Sequence, residues 1–205
     1  MLMQGGNAVD AAVATAAALN VAEPFMSGIA GVGYMHIYSA KKGEHKILDY
    51  VGLTPEATDL ARYKTEECKS EGPLSPLVPG ACGGWLEALR RYGSMDVGTV
   101  FEPAIEYAET GIALTVFGSS IFAQRADVLN KYPTGAGNYL IGGRAPHPGE
   151  VLVQSDLGRS FRAVAEGGEE VFYRGDIAKR MVQYLQQSGG LITEQDLAGF
   201  EAVWL

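Results

Sequence analysis

Gly5-Gly6-Asn7-Ala8-Val9-Asp10-Ala11-Ala12-Val13-Ala14 opens a helix. Two glycines precede it, Asn7 is an N-cap residue, and Asp10 falls in the positive first turn. The run from Ala11 to Leu19 is small and apolar on nearly every face. That pattern predicts a buried helix over Asn7–Asn20, packed close to its neighbours. Glu23-Pro24 ends it.

Downstream of this helix, Ser27-Gly28-Ile29-Ala30-Gly31-Val32-Gly33 leads into Tyr34-Met35-His36-Ile37-Tyr38, which reads as a strand. Lys46 to Val51 reads as its return, giving a β-hairpin with a polar tip from Ser39 to His45. Residues 60–80 are charged, then rich in Pro and Gly, as expected of a loop or lid. Helices are expected from about Cys82 to Arg91 and over Val97–Thr110, Leu114–Asn130, Ser155–Ala165 and Asp176–Gln187. Residues 132–150 should be irregular. Leu191-Ile192-Thr193 reads as a short extended piece, with Thr193 capping the turn that follows. The expectation is a single incomplete α+β domain over 1–205, helix-rich with a small antiparallel sheet.

Composition narrows the function classes. The 205 residues are 47% hydrophobic and 20% charged, with a net charge of −8. These proportions fit a folded globular chain. An acidic chain without a basic cluster is a poor partner for nucleic acid or an anionic membrane surface. No apolar run approaches the length of a membrane span. The start lacks a signal peptide's basic and apolar regions; the segment reads as cytoplasmic as it stands, and the compartment stays open. It enters a helix almost at once, as if upstream sequence were missing. Cys68 and Cys82 lack metal-ligand spacing and read as two thiols.

A search for self-sufficient chemistry finds little. His36, His45 and His147 have no Cys, Asp or Glu at ligand spacing, so no metal site is expected. There is no G-x-S-x-G elbow. Cys68 has only Lys69 as a basic neighbour, a thin warrant for a reactive thiol. Gly28-x-x-Gly31-x-Gly33 does not match G-x-G-x-x-G and precedes a strand, which disfavours nucleotide binding. The glycines are expected either to let the strand press on the Ala-rich helix or to line a cleft.

The opening decapeptide resembles the signature helix start of the γ-glutamyltransferase (γ-glutamyltranspeptidase) family. Four further blocks resemble that family in the same order. They are Val78-Pro79-Gly80 with Trp85-Leu86-Glu87-Ala88-Leu89-Arg90-Arg91-Tyr92-Gly93, then Pro103-Ala104-Ile105 with Ala108-Glu109 and Gly111. Phe172-Tyr173-Arg174-Gly175-Asp176-Ile177-Ala178 and Gly189-Gly190-Leu191-Ile192-Thr193 with Asp196-Leu197 complete the series. The resemblance implies part of an αββα sandwich of the N-terminal-nucleophile hydrolase type. It also implies a proenzyme that cuts itself before a threonine. That threonine then attacks an amide, with its own amino group as base.

These residues match only part of the family's large chain. The resemblance therefore places no catalytic residue here. The partners it implies are a small chain carrying the Thr nucleophile, and a small-molecule amide or γ-glutamyl substrate. No cofactor and no metal are expected. Thr54 and Thr193 read as turn and cap residues. The family usually has Asp-Phe-Arg-Glu-x-Ala-Pro at the end of the hairpin, its arginine pairing with the γ-glutamyl α-carboxylate. Here the stretch is Asp49-Tyr50-Val51-Gly52-Leu53-Thr54-Pro55. Direct alignment puts Val51 at the arginine, and a two-residue shift puts Leu53 there. Neither can bind a carboxylate. Tyr50, Val51, Gly52 and Leu53 are thus the candidate substrate-binding residues. The next arginine along the chain is Arg62. Two readings stay open beside the amidase or acylase: a non-catalytic remnant of the same family, and an arginine supplied from elsewhere.

Overall fold

In the computed structural model, which describes residues 1–205, helix α1 (Ala8–Ala22) starts where its cap predicts and runs past Asn20. Asn7 Oδ1 accepts the Val9 and Asp10 N–H groups at 2.7 and 3.2 Å, and the Asp10 carboxylate accepts the Asn7 N–H at 2.7 Å. This reciprocal box satisfies donors that a helix start otherwise leaves unpaired. Burial on nearly every face is not found. Val9, Val13, Ala14, Ala17 and Val21 turn inward, while Ala8, Ala12, Thr15 and Leu19 form an exposed stripe. Alanines leave little apolar area in water, so one packed face suffices.

Strands β1 (Tyr34–Ser39) and β2 (Glu44–Asp49) pair antiparallel, Tyr34 opposite Asp49 and Ser39 opposite Glu44. The turn is shorter than expected, residues 40–43, with Gly43 at φ 61°. That left-handed conformation suits glycine. His45 therefore lies in β2 rather than at the tip. The returning strand ends at Asp49, not Val51. One more backbone pair follows, between Gly33 and Tyr50, and the chain then leaves the ladder.

The other helices are α2 (Glu67–Ser70), α3 (Ala81–Tyr92), α4 (Val97–Thr110), α5 (Val116–Lys131), α6 (Pro133–Tyr139), α7 (Ser155–Tyr173), α8 (Asp176–Gln187) and α9 (Glu194–Ala198). Three short strands are β3 (Ile112–Ala113), β4 (Val151–Leu152) and β5 (Val203–Trp204). β5 adds to the free edge of β2, giving the order β1-β2-β5, and β3 pairs with β4. None of these three was expected.

Other boundaries also move. Residues 132–150 are not wholly irregular, because Pro133 at the first helical position starts α6 despite Gly135 and Gly137. α7 continues past Ala165 to Tyr173, bent at Gly168, whose φ is 64°. The 60–80 segment is not a free lid. It contains α2, is tied to α5 by Glu71–Arg125 at 2.6 Å and Glu67–Lys131 at 3.3 Å, and is closed on itself by a 3.0 Å bond from the Tyr63 hydroxyl to the Leu74 carbonyl.

The main core forms around α4, which packs between α1 and α7. Val100, Phe101, Ala104, Ile105 and Ala108 are buried there, and the Phe101 ring meets Phe161 edge-on at 5.2 Å. α3 joins α1 to β2, where Leu48 is fully buried. Leu114, Phe122 and Leu152 form a separate small cluster. The architecture is a partial αββα sandwich, helix-rich with small antiparallel sheets. Both cysteines are free thiols, and no helix is long and apolar enough to cross a membrane.

Candidate functional site

The glycine loop and α3 meet in an arrangement that the sequence did not reveal. A helix leaves its first N–H groups without partners. Here Gly31 O accepts the Gly80 and Ala81 N–H groups at 2.9 and 2.8 Å, and Ile29 O accepts the Cys82 N–H at 3.1 Å. The next donor, the Gly83 N–H, bonds to the Tyr173 hydroxyl at 3.0 Å. The loop thus turns carbonyl oxygens, not N–H groups, toward the helix. The donors that an anion would need are already taken.

Tyr50 to Leu53 passes beside this helix start, and burial alternates along it: Tyr50 is half-buried and Gly52 buried, while Val51 and Leu53 are exposed. The Tyr50 ring packs against Gly84 and Gly33, where no Cβ could fit beside it. Burial pushes its hydroxyl above the ordinary tyrosine range, although a bond with Trp85 opposes this. Gly52 lies against the Val78 carbonyl, again with no room for a Cβ. The Val78 N–H donates to Leu53 O at 2.9 Å and fastens the two segments together. Val51 and Leu53 face outward, the latter 80% exposed.

These two side chains line a cleft of about 650 Å³. Val78 and Thr54 continue their wall, and Gly199, Phe200 and Val203 line it from the C-terminal segment. Four carboxylate residues, Asp49, Glu56, Asp196 and Glu201, also line it, and no Lys or Arg does. Of the four candidate residues, Val51 and Leu53 reach this cleft, whereas Tyr50 and Gly52 face the interior. Val78, Phe200, Glu201 and Val203 were not anticipated.

Local bonds fix the polar rim. Asp49 Oδ1 accepts the Val51 N–H at 2.8 Å. Asp196 accepts the Glu56 N–H at 2.9 Å, the Thr193 N–H at 2.8 Å and the Thr193 hydroxyl at 2.7 Å. Burial opposes ionisation of Asp196, but these donors outweigh it and hold its carboxyl below the usual range. The Thr193 hydroxyl is committed to this capping box. Arg62 donates to Gly189 O at 2.9 Å, and Arg174 to Ala198 O at 2.8 Å. Neither lines the cleft. His36 and His45 face each other across the hairpin with ring centroids 5.6 Å apart, and His147 lies in the loop before β4. No three His, Cys, Asp or Glu side chains converge as a metal site would need.

A family model described as gamma-glutamyltranspeptidase matches residues 1–205. The acylase ACY 1 proenzyme of Pseudomonas sp. (strain SE83) is 37% identical over 215 residues, covering 98% of this chain and 38% of that protein. The glutathione hydrolase proenzyme of Escherichia coli (strain K12) is 32% identical, covering 99% of this chain and 36% of that protein. Among solved structures, Helicobacter pylori gamma-glutamyltranspeptidase superposes with a TM-score of 0.94 at 30% identity, covering 99% of this chain and 60% of that one. Cephalosporin acylase from Bacillus halodurans gives 0.89 at 31%, covering 100% and 40%. The chain thus spans less than two-fifths of these curated relatives' length.

Proposed function

The chain belongs to the gamma-glutamyltranspeptidase family, and from that premise we propose that it forms the scaffold and one pocket wall of an N-terminal-nucleophile amidohydrolase or acyltransferase. The attacking threonine is supplied by polypeptide outside these residues, and the 205 residues alone are inert. A free α-amine titrates near neutrality, so the threonine's own amino group accepts its hydroxyl proton as the oxygen attacks the amide carbon. Backbone N–H groups stabilise the oxyanion. The leaving amine departs protonated, and water or an acceptor amine then takes the acyl group from the ester.

The acyl group carries no free carboxylate at the Val51 position. One observation carries this reading: the cleft holds Val51 and Leu53 among four carboxylate residues and no cation. A γ-glutamyl α-carboxylate entering it would lose water without gaining a partner and would meet like charge. Such a mismatch costs roughly 2–5 kcal/mol. The similarity to proteins named acylase, beside those named glutathione hydrolase, is compatible with an acyl donor other than γ-glutamyl.

Trapping tests the location of the nucleophile. The complete protein is incubated with a slowly released acyl ester and mapped by peptide mass spectrometry. The adduct is expected on an N-terminal threonine beyond these residues. An adduct on Thr54 or Thr193 would refute the assignment.

A further inference from the structure

The two sides of the cleft meet behind it at a single phenol. Tyr173, at the end of α7, is only 3% exposed. Its hydroxyl donates to Pro79 O at 3.0 Å and accepts the Gly83 N–H at 3.0 Å. Its ring stacks on Phe200, with centroids 5.2 Å apart and planes inclined by 14°. Pro79 follows Val78, whose backbone holds Gly52 and Leu53, so the hydroxyl grips the wall that carries Val51 and Leu53. Phe200 lines the same cleft from the C-terminal segment. Phe200 also leans on the first turn of α3, where Gly80 and Gly83 leave space for its ring.

We infer that Tyr173 is a positioning residue that sets the separation of the two cleft walls, one through its hydroxyl and the other through its ring. This rests on the reading of the cleft as the acyl pocket. The arrangement is rigid because each leg is directional. The hydroxyl uses one donor and one acceptor on backbone that is itself fastened to α3. The ring contact is an offset stack with nearly parallel planes. Tyr173 acts through these two walls.

Tyr173→Phe in the complete protein removes the hydroxyl leg and keeps the stacked ring. Walls that hold the acyl group equally in ground and transition states affect KM and spare kcat. The expected result is a rise of about tenfold in KM for a neutral acyl anilide, with kcat within about twofold. Faster amide exchange over residues 50–55 and 76–82, with α1 unaltered, is expected alongside. A merely structural role predicts the reverse split: a smaller active fraction lowers kcat and leaves KM unchanged. That split, or unaltered exchange at Val78, would overturn the inference.

Phe200→Leu, which keeps the hydroxyl bonds and removes the stacking, should also raise KM. It provides the same test should the tyrosine variant fold poorly. Val51→Trp separates the two claims. If it leaves KM unchanged, the cleft is not the acyl pocket. If it raises KM while Tyr173→Phe does not, the positioning role alone falls. Should the wild type turn over no anilide, exchange at Val78 still decides whether the phenol holds the wall.

Discussion

The Asp49 carboxylate accepts the backbone N–H of Val51 at 2.8 Å. A carboxylate is thereby fastened two residues before Val51, which the family resemblance puts at the usual arginine unless a two-residue shift puts Leu53 there. Val51→Arg should supply the missing cation. In the complete protein it is expected to raise kcat/KM for γ-glutamyl-p-nitroanilide, relative to a neutral acyl anilide, by about tenfold or more. An unaltered ratio would show that this position does not meet the α-carboxylate.

Gly52 is fixed by packing rather than by dihedral angle. A Cβ there would overlap the Val78 carbonyl, which is backbone and cannot swing aside. Gly52→Ala should cost about 3 kcal/mol of stability and loosen the Leu53–Val78 bond. Chemical denaturation measures the first effect, and amide exchange at Val78 the second.

Asp10 ties the start of α1 to the α3–α4 connection. Ser94 Oγ donates to it at 2.6 Å, Ser94 N–H at 2.9 Å and Met95 N–H at 3.3 Å, besides Asn7. Burial opposes its ionisation, yet these bonds outweigh burial and hold the carboxyl below the usual aspartate range. A lowered folded-state value means that the contribution is complete above the unfolded value of about 3.9 and is lost as pH falls through the folded value. Asp10→Ala should therefore destabilise by about 2–4 kcal/mol near neutrality, with the deficit shrinking in acid. Urea melts at pH 7 and pH 3 would check the sign.

Cys82 is fully buried, and that burial pushes its thiol well above the ordinary range, with Glu169 adding to the effect. Cys68 is half-buried beside Thr65. Iodoacetamide should modify Cys68 in the native protein and Cys82 only after unfolding. Equal labelling rates, read by mass spectrometry, would contradict the packing of α3.

What could be read in advance was local chemistry. Asn7 with Asp10, and Thr193 as a cap, announce helix starts within four residues of chain. α4 and α8 follow from their apolar spacing. The misses have distant causes. β3, β4 and β5 have two residues each, too few for a period, and exist because a partner strand passes by. The glycine loop reads as a surface for the Ala-rich helix or as a cleft lining, but its Ile29 and Gly31 carbonyls cap α3, a partner some fifty residues on. The family motif drew attention to Tyr50–Leu53. That only Val51 and Leu53 face the cleft depends on Gly84 and Val78 taking up the other side. That Phe200 lines that cleft and Tyr173 stands behind it could be read only from the fold.

The central claim is selectivity against a carboxylate at Val51. Steady-state kinetics on the complete, processed protein would compare γ-glutamyl-p-nitroanilide with neutral acyl anilides of similar size. The neutral compounds should show kcat/KM higher by about thirtyfold or more, the lower end of an unpaired carboxylate's cost. A preference for the γ-glutamyl compound would contradict the account.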